Sequence, residues 1–226
     1  MMPTPLRLVI FDVDGTLVDS QGDILGAMRH AFEGLGLDVP SRDAVLGIVG
    51  LSLPVAMARL APDVGPALQS QLVEGYKSAY VDMRAKVGAA QSSPLYPGAR
   101  GSLEQLHSTP EVLLGVATGK SKRGLDSLIK AHDLGSFFVT RQVADFHPSK
   151  PHPSMILQAM ADTGVDPENT VMIGDTSFDM EMARSAGVHG IGVSWGYHPV
   201  SALTGAAEVL TDFTGLPPAL SRLWGE

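Results

Sequence analysis

Asp12 and Asp14 stand two residues apart in the string Phe11-Asp12-Val13-Asp14-Gly15-Thr16-Leu17-Val18-Asp19-Ser20, directly after a run of apolar residues. Two carboxylates that close repel each other unless a cation or a shared proton relieves them. An acidic pair at a strand end can also serve a turn by accepting local backbone hydrogen bonds. Metal-assisted chemistry and a simple turn are therefore the readings these residue types allow. Thr118, in Val116-Ala117-Thr118-Gly119-Lys120, follows a similar apolar run, as does Asp175, in Gly174-Asp175-Thr176-Ser177-Phe178-Asp179-Met180. Taken singly, Thr118 could merely end a strand and Asp175 could cap a helix.

Such residues act together only if the elements carrying them end side by side. Short runs rich in branched residues predict buried strands over Leu6–Phe11, Val112–Ala117, Thr170–Ile173 and His189–Val193, with weaker ones at Phe137–Thr140 and Glu208–Leu210. Apolar spacing of three and four predicts helices over Ala99–His107, Lys122–His132, Pro153–Thr163 and Phe178–Ala186. Pro153 suits a first helical turn, where its missing amide hydrogen costs nothing. Alternating strands and helices imply an α/β fold: a Rossmann-like parallel sheet with helices on both faces. Ligands then bind beyond the carboxyl ends of the strands, where these polar residues fall.

From Val18 to about Ser93 no strand is expected. Ile24–Leu35 places Ile24, Met28, Ala31, Phe32 and Leu35 on one helical face. Pro66–Val87 aligns Leu68, Leu72, Tyr76, Ala79, Tyr80, Met83 and Val87, and shorter helices are expected at Arg42–Ile48 and Leu53–Leu60. The proline- and glycine-rich segment Ser92–Gly98 marks the return. The expected division is an α/β core of residues 1–17 and 94–226 with an all-helical insertion, 18–93.

The first string resembles the opening motif of the haloacid dehalogenase-like hydrolases, Asp-x-Asp-Gly-Thr after a buried strand. The family's other motifs follow in order: Thr118 for the second, Lys150 in Ser149-Lys150-Pro151-His152-Pro153 for the third, and Asp175 with Asp179 for the fourth. The helical insertion is similar to the cap domain of the phosphoglycolate phosphatase-like branch, and Gly192–Tyr197 resembles that branch too.

The resemblance implies a magnesium-dependent phosphatase acting on a small phosphorylated metabolite, phosphoglycolate or a sugar phosphate. Asp12 would be the nucleophile, forming an aspartyl-phosphate, and Asp14 the general acid and base. Magnesium would be held by Asp12, Asp175 and the backbone carbonyl of Asp14. Thr118, Gly119 and Lys150 would balance phosphoryl charge, and Asp179 would support Lys150 or a metal-bound water. The resemblance also makes Val49–Leu53 a substrate-facing loop. A carboxylate on the substrate would need a cation, for which Arg29, Arg42, Arg59, Lys120 and Arg123 are candidates. A phosphosugar mutase of the β-phosphoglucomutase type, or a pyrophosphatase, would use the same core. A non-enzymatic phospho-receiver module is the remote alternative, disfavoured because its phosphorylated aspartate follows a later strand.

Composition narrows the partners. The 226-residue chain carries a net charge of −8, without a Lys/Arg run, which speaks against nucleic acid and anionic membrane as partners. It has no cysteine, which excludes thiolate ligands, cysteine nucleophiles and disulfides. His147 and His152 flank Lys150, and neither they nor the remaining histidines show zinc-site spacing. No apolar run is long enough to span a bilayer, and Met1-Met2-Pro3-Thr4-Pro5 has no leader pattern, so a cytoplasmic location is expected. Monomer and homodimer are equally compatible with the sequence.

Overall fold

The structure is a computed structural model and describes residues 5–225. The opening residues 1–4, part of the expected core span and of the segment read for a leader, lie outside the described residues.

Strand β1 (Arg7–Phe11) is buried at every position. It lies between β2 (Val112–Thr118) and β4 (Thr170–Gly174) in a fully parallel sheet ordered β3-β2-β1-β4-β5-β6, with β3 Phe138–Val143, β5 His189–Val193 and β6 Glu208–Leu210. Alternation along β1 sends Val9 and Phe11 into one apolar cluster and Leu8 and Ile10 into another, so both faces of the sheet are covered. Each such side chain contributes about 1.5–3 kcal/mol on burial, enough to anchor a strand that ends in paired carboxylates. The register sets Phe11 beside Val116 and Ile173. The residues that follow on all three strands therefore emerge on one edge.

The helices of the core are α6 (Ala99–His107), α7 (Lys122–Ala131), α8 (Ser154–Thr163), α9 (Ser177–Ala186) and α10 (Leu216–Trp224). Between β1 and β2 run α1 (Gln21–Gly34), α2 (Arg42–Leu46), α3 (Leu53–Leu60), α4 (Pro66–Val87) and α5 (Ala89–Ser92). These bury an apolar cluster of their own around Met28, Phe32, Met57 and Leu72. No helix among the described residues is long and apolar enough to cross a membrane.

Several details differ from the sequence pattern; β3, for one, runs on to Val143. Pro153 is the N-cap of α8 rather than a residue of its first turn. The α4 stripe frays at its ends, with Leu68 and Val87 exposed, and Arg84 takes a buried place on the inward face. Helix α10 has no counterpart in the sequence reading; its prolines, Pro217 and Pro218, occupy the first turn, where a missing amide hydrogen costs nothing.

Candidate active site

The β1 edge gathers the residues singled out from the sequence. Asp12, Thr118, Lys150, Asp175 and Asp179 are each at most 2% exposed, and Asp14 is 8% exposed. Lys150 Nζ lies 3.0 Å from Asp12 Oδ1 and donates to Asp179 Oδ1 at 2.7 Å. Asp12, Asp175 and Asp179 each offer one carboxylate oxygen within 4.8 Å of the others. Neither oxygen of Asp12 accepts a well-formed hydrogen bond, which is rare for so buried a carboxylate.

The other acids of the cluster are held. Asp175 Oδ1 accepts from Thr16 Oγ1 at 2.9 Å and Oδ2 from the Tyr197 amide at 2.8 Å. Gly15, at φ +84°, makes room for it: a Cβ there would stand 2.2 Å from Asp175 Oδ2. Asp179 Oδ2 accepts from the amide and hydroxyl of Thr176, which is itself the N-cap of α9. Thr176 rather than Asp175 is thus the helix cap, and Asp179 Oδ1 accepts from Lys150 Nζ.

Asp14 lies apart from that cluster. Its Oδ1 accepts from Ser20 Oγ at 2.5 Å and lies 2.9 Å from Lys120 Nζ. Lys120 Nζ also donates to Tyr80 Oη of α4 at 3.1 Å, linking the sheet edge to the helical insertion. Ser20 Oγ is 3.3 Å from Tyr197 Oη. The Thr118 hydroxyl accepts from the Lys120 amide at 3.2 Å. Gly119 lies under the insertion so closely that a Cβ would meet Gly50 O at 2.4 Å.

Burial shapes the charges. It pushes the Asp12 carboxyl up to about 7 against the opposing pull of Lys150, with Asp179 and Asp14 adding to the rise. Burial likewise drives Asp175 well above the ordinary carboxylate range, helped by the charges of Asp12 and Asp179. For Lys150 burial acts downward, but Asp12 and Asp179 outweigh it and the ammonium is held above its usual value. The net is a floor starved of positive charge. A hard cation with oxygen ligands fits there, because Asp12, whose oxygens make no well-formed hydrogen bond, sits in a three-carboxylate cluster with Lys150 as its neighbouring cation.

A cavity of about 980 Å³ opens above this floor, lined by Asp12, Asp14, Thr118, Gly119, the loop Val49–Leu53 and the α4 residues Tyr76, Tyr80 and Arg84. Of the cations proposed from sequence, Lys120 and Arg123 line it. Arg29 is exposed elsewhere, Arg42 lines a separate groove beside Tyr197 and His198, and Arg59 lies over the Phe178 ring. His147 is engaged with Ser154 and Gln142, and His152 Nδ1 accepts from the Ser154 amide. Sequence reasoning missed Ser20, Tyr80 and Arg84. Ser20 closes the first motif string and was within reach of it. Tyr80 and Arg84 sit on a helix far along the chain, where nothing marks them as facing the sheet.

The sequence model of the haloacid dehalogenase-like hydrolases matches residues 9–193. The chain is 35% identical over 224 residues to the "Probable phosphatase IndB" of Dickeya dadantii (strain 3937), covering 96% of this chain and 95% of that protein. It is 32% identical over 227 residues to the phosphoglycolate phosphatase of Agrobacterium fabrum, covering 97% and 95%. The structure of a haloacid dehalogenase-like hydrolase from Streptococcus pneumoniae superposes with a TM-score of 0.81 at 26% identity, covering 95% of this chain and 98% of that one. With the motif residues gathered on one parallel-sheet edge, the chain belongs to the haloacid dehalogenase-like hydrolases.

Proposed function

We propose that the chain is a magnesium-dependent phosphatase that hydrolyses a small phosphorylated metabolite, of the phosphoglycolate or sugar-phosphate type, through an aspartyl-phosphate on Asp12. The observation that carries this reading is Asp12 itself: a buried carboxylate at the floor of a large cavity, faced by Lys150 at 3.0 Å but with neither oxygen in a well-formed hydrogen bond. A structural aspartate would have those oxygens satisfied. The phosphatase names of the relatives support the same class.

Asp12, Asp175 and the backbone carbonyl of Asp14 would hold the magnesium, while Asp179 is already committed to Lys150 and Thr176. Bound there, the ion would offset the repulsion between an anionic nucleophile and an anionic phosphoryl group. An Asp12 oxygen attacks phosphorus as the ester P–O bond breaks, and Asp14 delivers its proton to the departing alkoxide. Asp14 then takes a proton from water, whose oxygen attacks the same phosphorus and frees phosphate and Asp12. Thr118, the Gly119 amide and Lys150 receive the phosphoryl oxygens. Ser20 and Lys120 fix the Asp14 carboxylate for both proton transfers. In this reading residues 18–93 form a cap over a core of 1–17 and 94–226, and the cap shields the reacting atoms from bulk water.

The test is phosphate release from an aryl phosphate and from sugar phosphates, with and without EDTA. Release that needs magnesium and vanishes in Asp12→Asn is expected. Isomerisation of a sugar phosphate without release would overturn the hydrolase assignment in favour of a mutase.

A further inference from the structure

Arg84 of α4 is 8% exposed and lines the cavity, yet its guanidinium is poorly satisfied. Nε has no hydrogen-bond partner, and its nearest carboxylate oxygen, Asp23 Oδ2, is 3.6 Å away. That oxygen is already held by Ser93 Oγ at 3.0 Å. Nη2 reaches Ala89 O at 3.5 Å, the outer limit of a hydrogen bond. A guanidinium offers five donors in a rigid fork, so a buried one with two long contacts has donors left for a ligand. Asp23 offsets its charge across a gap without using those donors.

Its place in the cavity is equally specific. From Asp14 a chain of contacts runs through Lys120 to the Tyr80 hydroxyl, and Arg84 Cζ lies 5.2 Å from the Tyr80 ring centre. Tyr76 stacks on Tyr80 at 5.8 Å, while Ile24, Met28, Val49, Leu51 and Leu53 supply apolar lining. The cavity that opens over Asp14 thus offers a leaving group an apolar and aromatic wall and, beside Tyr80 on α4, a cation with free donors. A carboxylate is the planar, charged acceptor that such a fork takes in two parallel hydrogen bonds.

Resting on the phosphatase reading above, we propose that Arg84 is a specificity-determining residue. It receives a carboxylate at the far end of the leaving alcohol and so selects phosphomonoesters whose alcohol carries a second negative charge beyond an apolar body. Arg84 was not among the cations the sequence suggested. Arg42, in a separate groove, and Arg59, over the Phe178 ring, do not line this cavity.

Phenyl phosphate, 4-carboxyphenyl phosphate and 4-carbamoylphenyl phosphate test this, the last being a neutral acceptor that also withdraws electrons from the ring. The full-length protein should favour the carboxylate over both others in kcat/KM by roughly tenfold to a hundredfold, mostly through KM, the size of a charge-assisted hydrogen bond. In R84M the ratios should fall to near one, and R84K should recover part of them. A wild-type protein without the preference, or a folded R84M that keeps it, overturns the proposal. Equal preference for the carbamoyl compound overturns the anionic assignment. Calorimetric binding of the same compounds to Asp12→Asn separates the two readings. Selective binding without wild-type hydrolysis defeats the phosphatase reading and upholds Arg84. Hydrolysis without selectivity defeats Arg84 alone.

Discussion

Lys150 Nζ lies 2.7 Å from Asp179 Oδ1 with both side chains shut off from solvent, and the same ammonium stands 3.0 Å from Asp12. One buried cation thus serves Asp12 and Asp179, in a cluster that also holds Asp175. Removing a buried charge is far more damaging than removing an exposed one, because the partners left behind can neither reach water nor pair.

Lys150→Met should therefore lower stability by about 3–5 kcal/mol, the usual cost of orphaning a buried ion-pair partner. Urea denaturation in EDTA measures it. An unchanged midpoint would show that the carboxylates have already taken up protons and do not need the ammonium.

Asp12→Asn should behave differently. It removes one of the buried like charges, so in EDTA the melting temperature should hold or rise, while turnover falls by roughly 10³-fold or more with the nucleophile gone. Thermal melting paired with phosphate release reads both. A stable variant with surviving activity would exclude covalent catalysis by Asp12.

Magnesium stabilisation should depend on pH with a definite sign. In the metal-free fold the Asp12 carboxyl titrates at about 7, raised from 3.8 by burial first. A carboxyl raised in this way favours the fold while it is protonated, and that contribution fades as pH climbs through about 7. A metal ligand must be deprotonated, so protons compete with magnesium below that value. The rise in melting temperature on adding magnesium should be larger at pH 8 than at pH 6. A larger rise at pH 6 would contradict the assignment of Asp12 as a ligand.

The sheet was legible because each strand is a short apolar run, and the site was legible because its residues sit where those runs stop. Asp12, Thr118 and Asp175 could be placed on one edge from alternation alone, and the register of β1 with β2 and β4 is what makes that placement true. The partners of Asp14 were harder. Lys120 is two residues beyond Thr118 and was counted only as a possible substrate cation, although it faces Asp14 at 2.9 Å. Arg84 stayed hidden for a physical reason: a helical apolar stripe cannot show that a charged residue beside it turns inward. Tyr197 joins the site through its amide to Asp175 and its hydroxyl to Ser20, a long-range closure that no local pattern records.

Gly119→Ala tests how closely the insertion sits on the sheet edge. The new Cβ would stand 2.4 Å from Gly50 O and 2.7 Å from Leu51 O, both backbone atoms with little freedom to move. Overpacking of this kind costs about 1–3 kcal/mol. The variant should melt lower and bind substrate more weakly, as the loop Val49–Leu53 is displaced from the cavity wall. Wild-type KM and melting together would mean that the loop stands clear of Gly119 in solution.

Asp14→Asn separates proton transfer from positioning. The amide oxygen of asparagine can still accept from Ser20 Oγ and Lys120 Nζ, so the contacts at 2.5 and 2.9 Å survive while the titratable proton is lost. An ester whose leaving group departs without protonation, such as 4-nitrophenyl phosphate, should still phosphorylate Asp12 quickly. Hydrolysis of the aspartyl-phosphate still needs a base, so it should slow by roughly 10²- to 10⁴-fold, the usual range for general acid–base help. The variant should then release a burst of one equivalent of nitrophenol followed by a slow steady state. With an alkyl phosphate both steps should slow and the burst should disappear. Rapid-quench measurements on the two substrates check this, and near-normal turnover of the alkyl phosphate would remove Asp14 from the role.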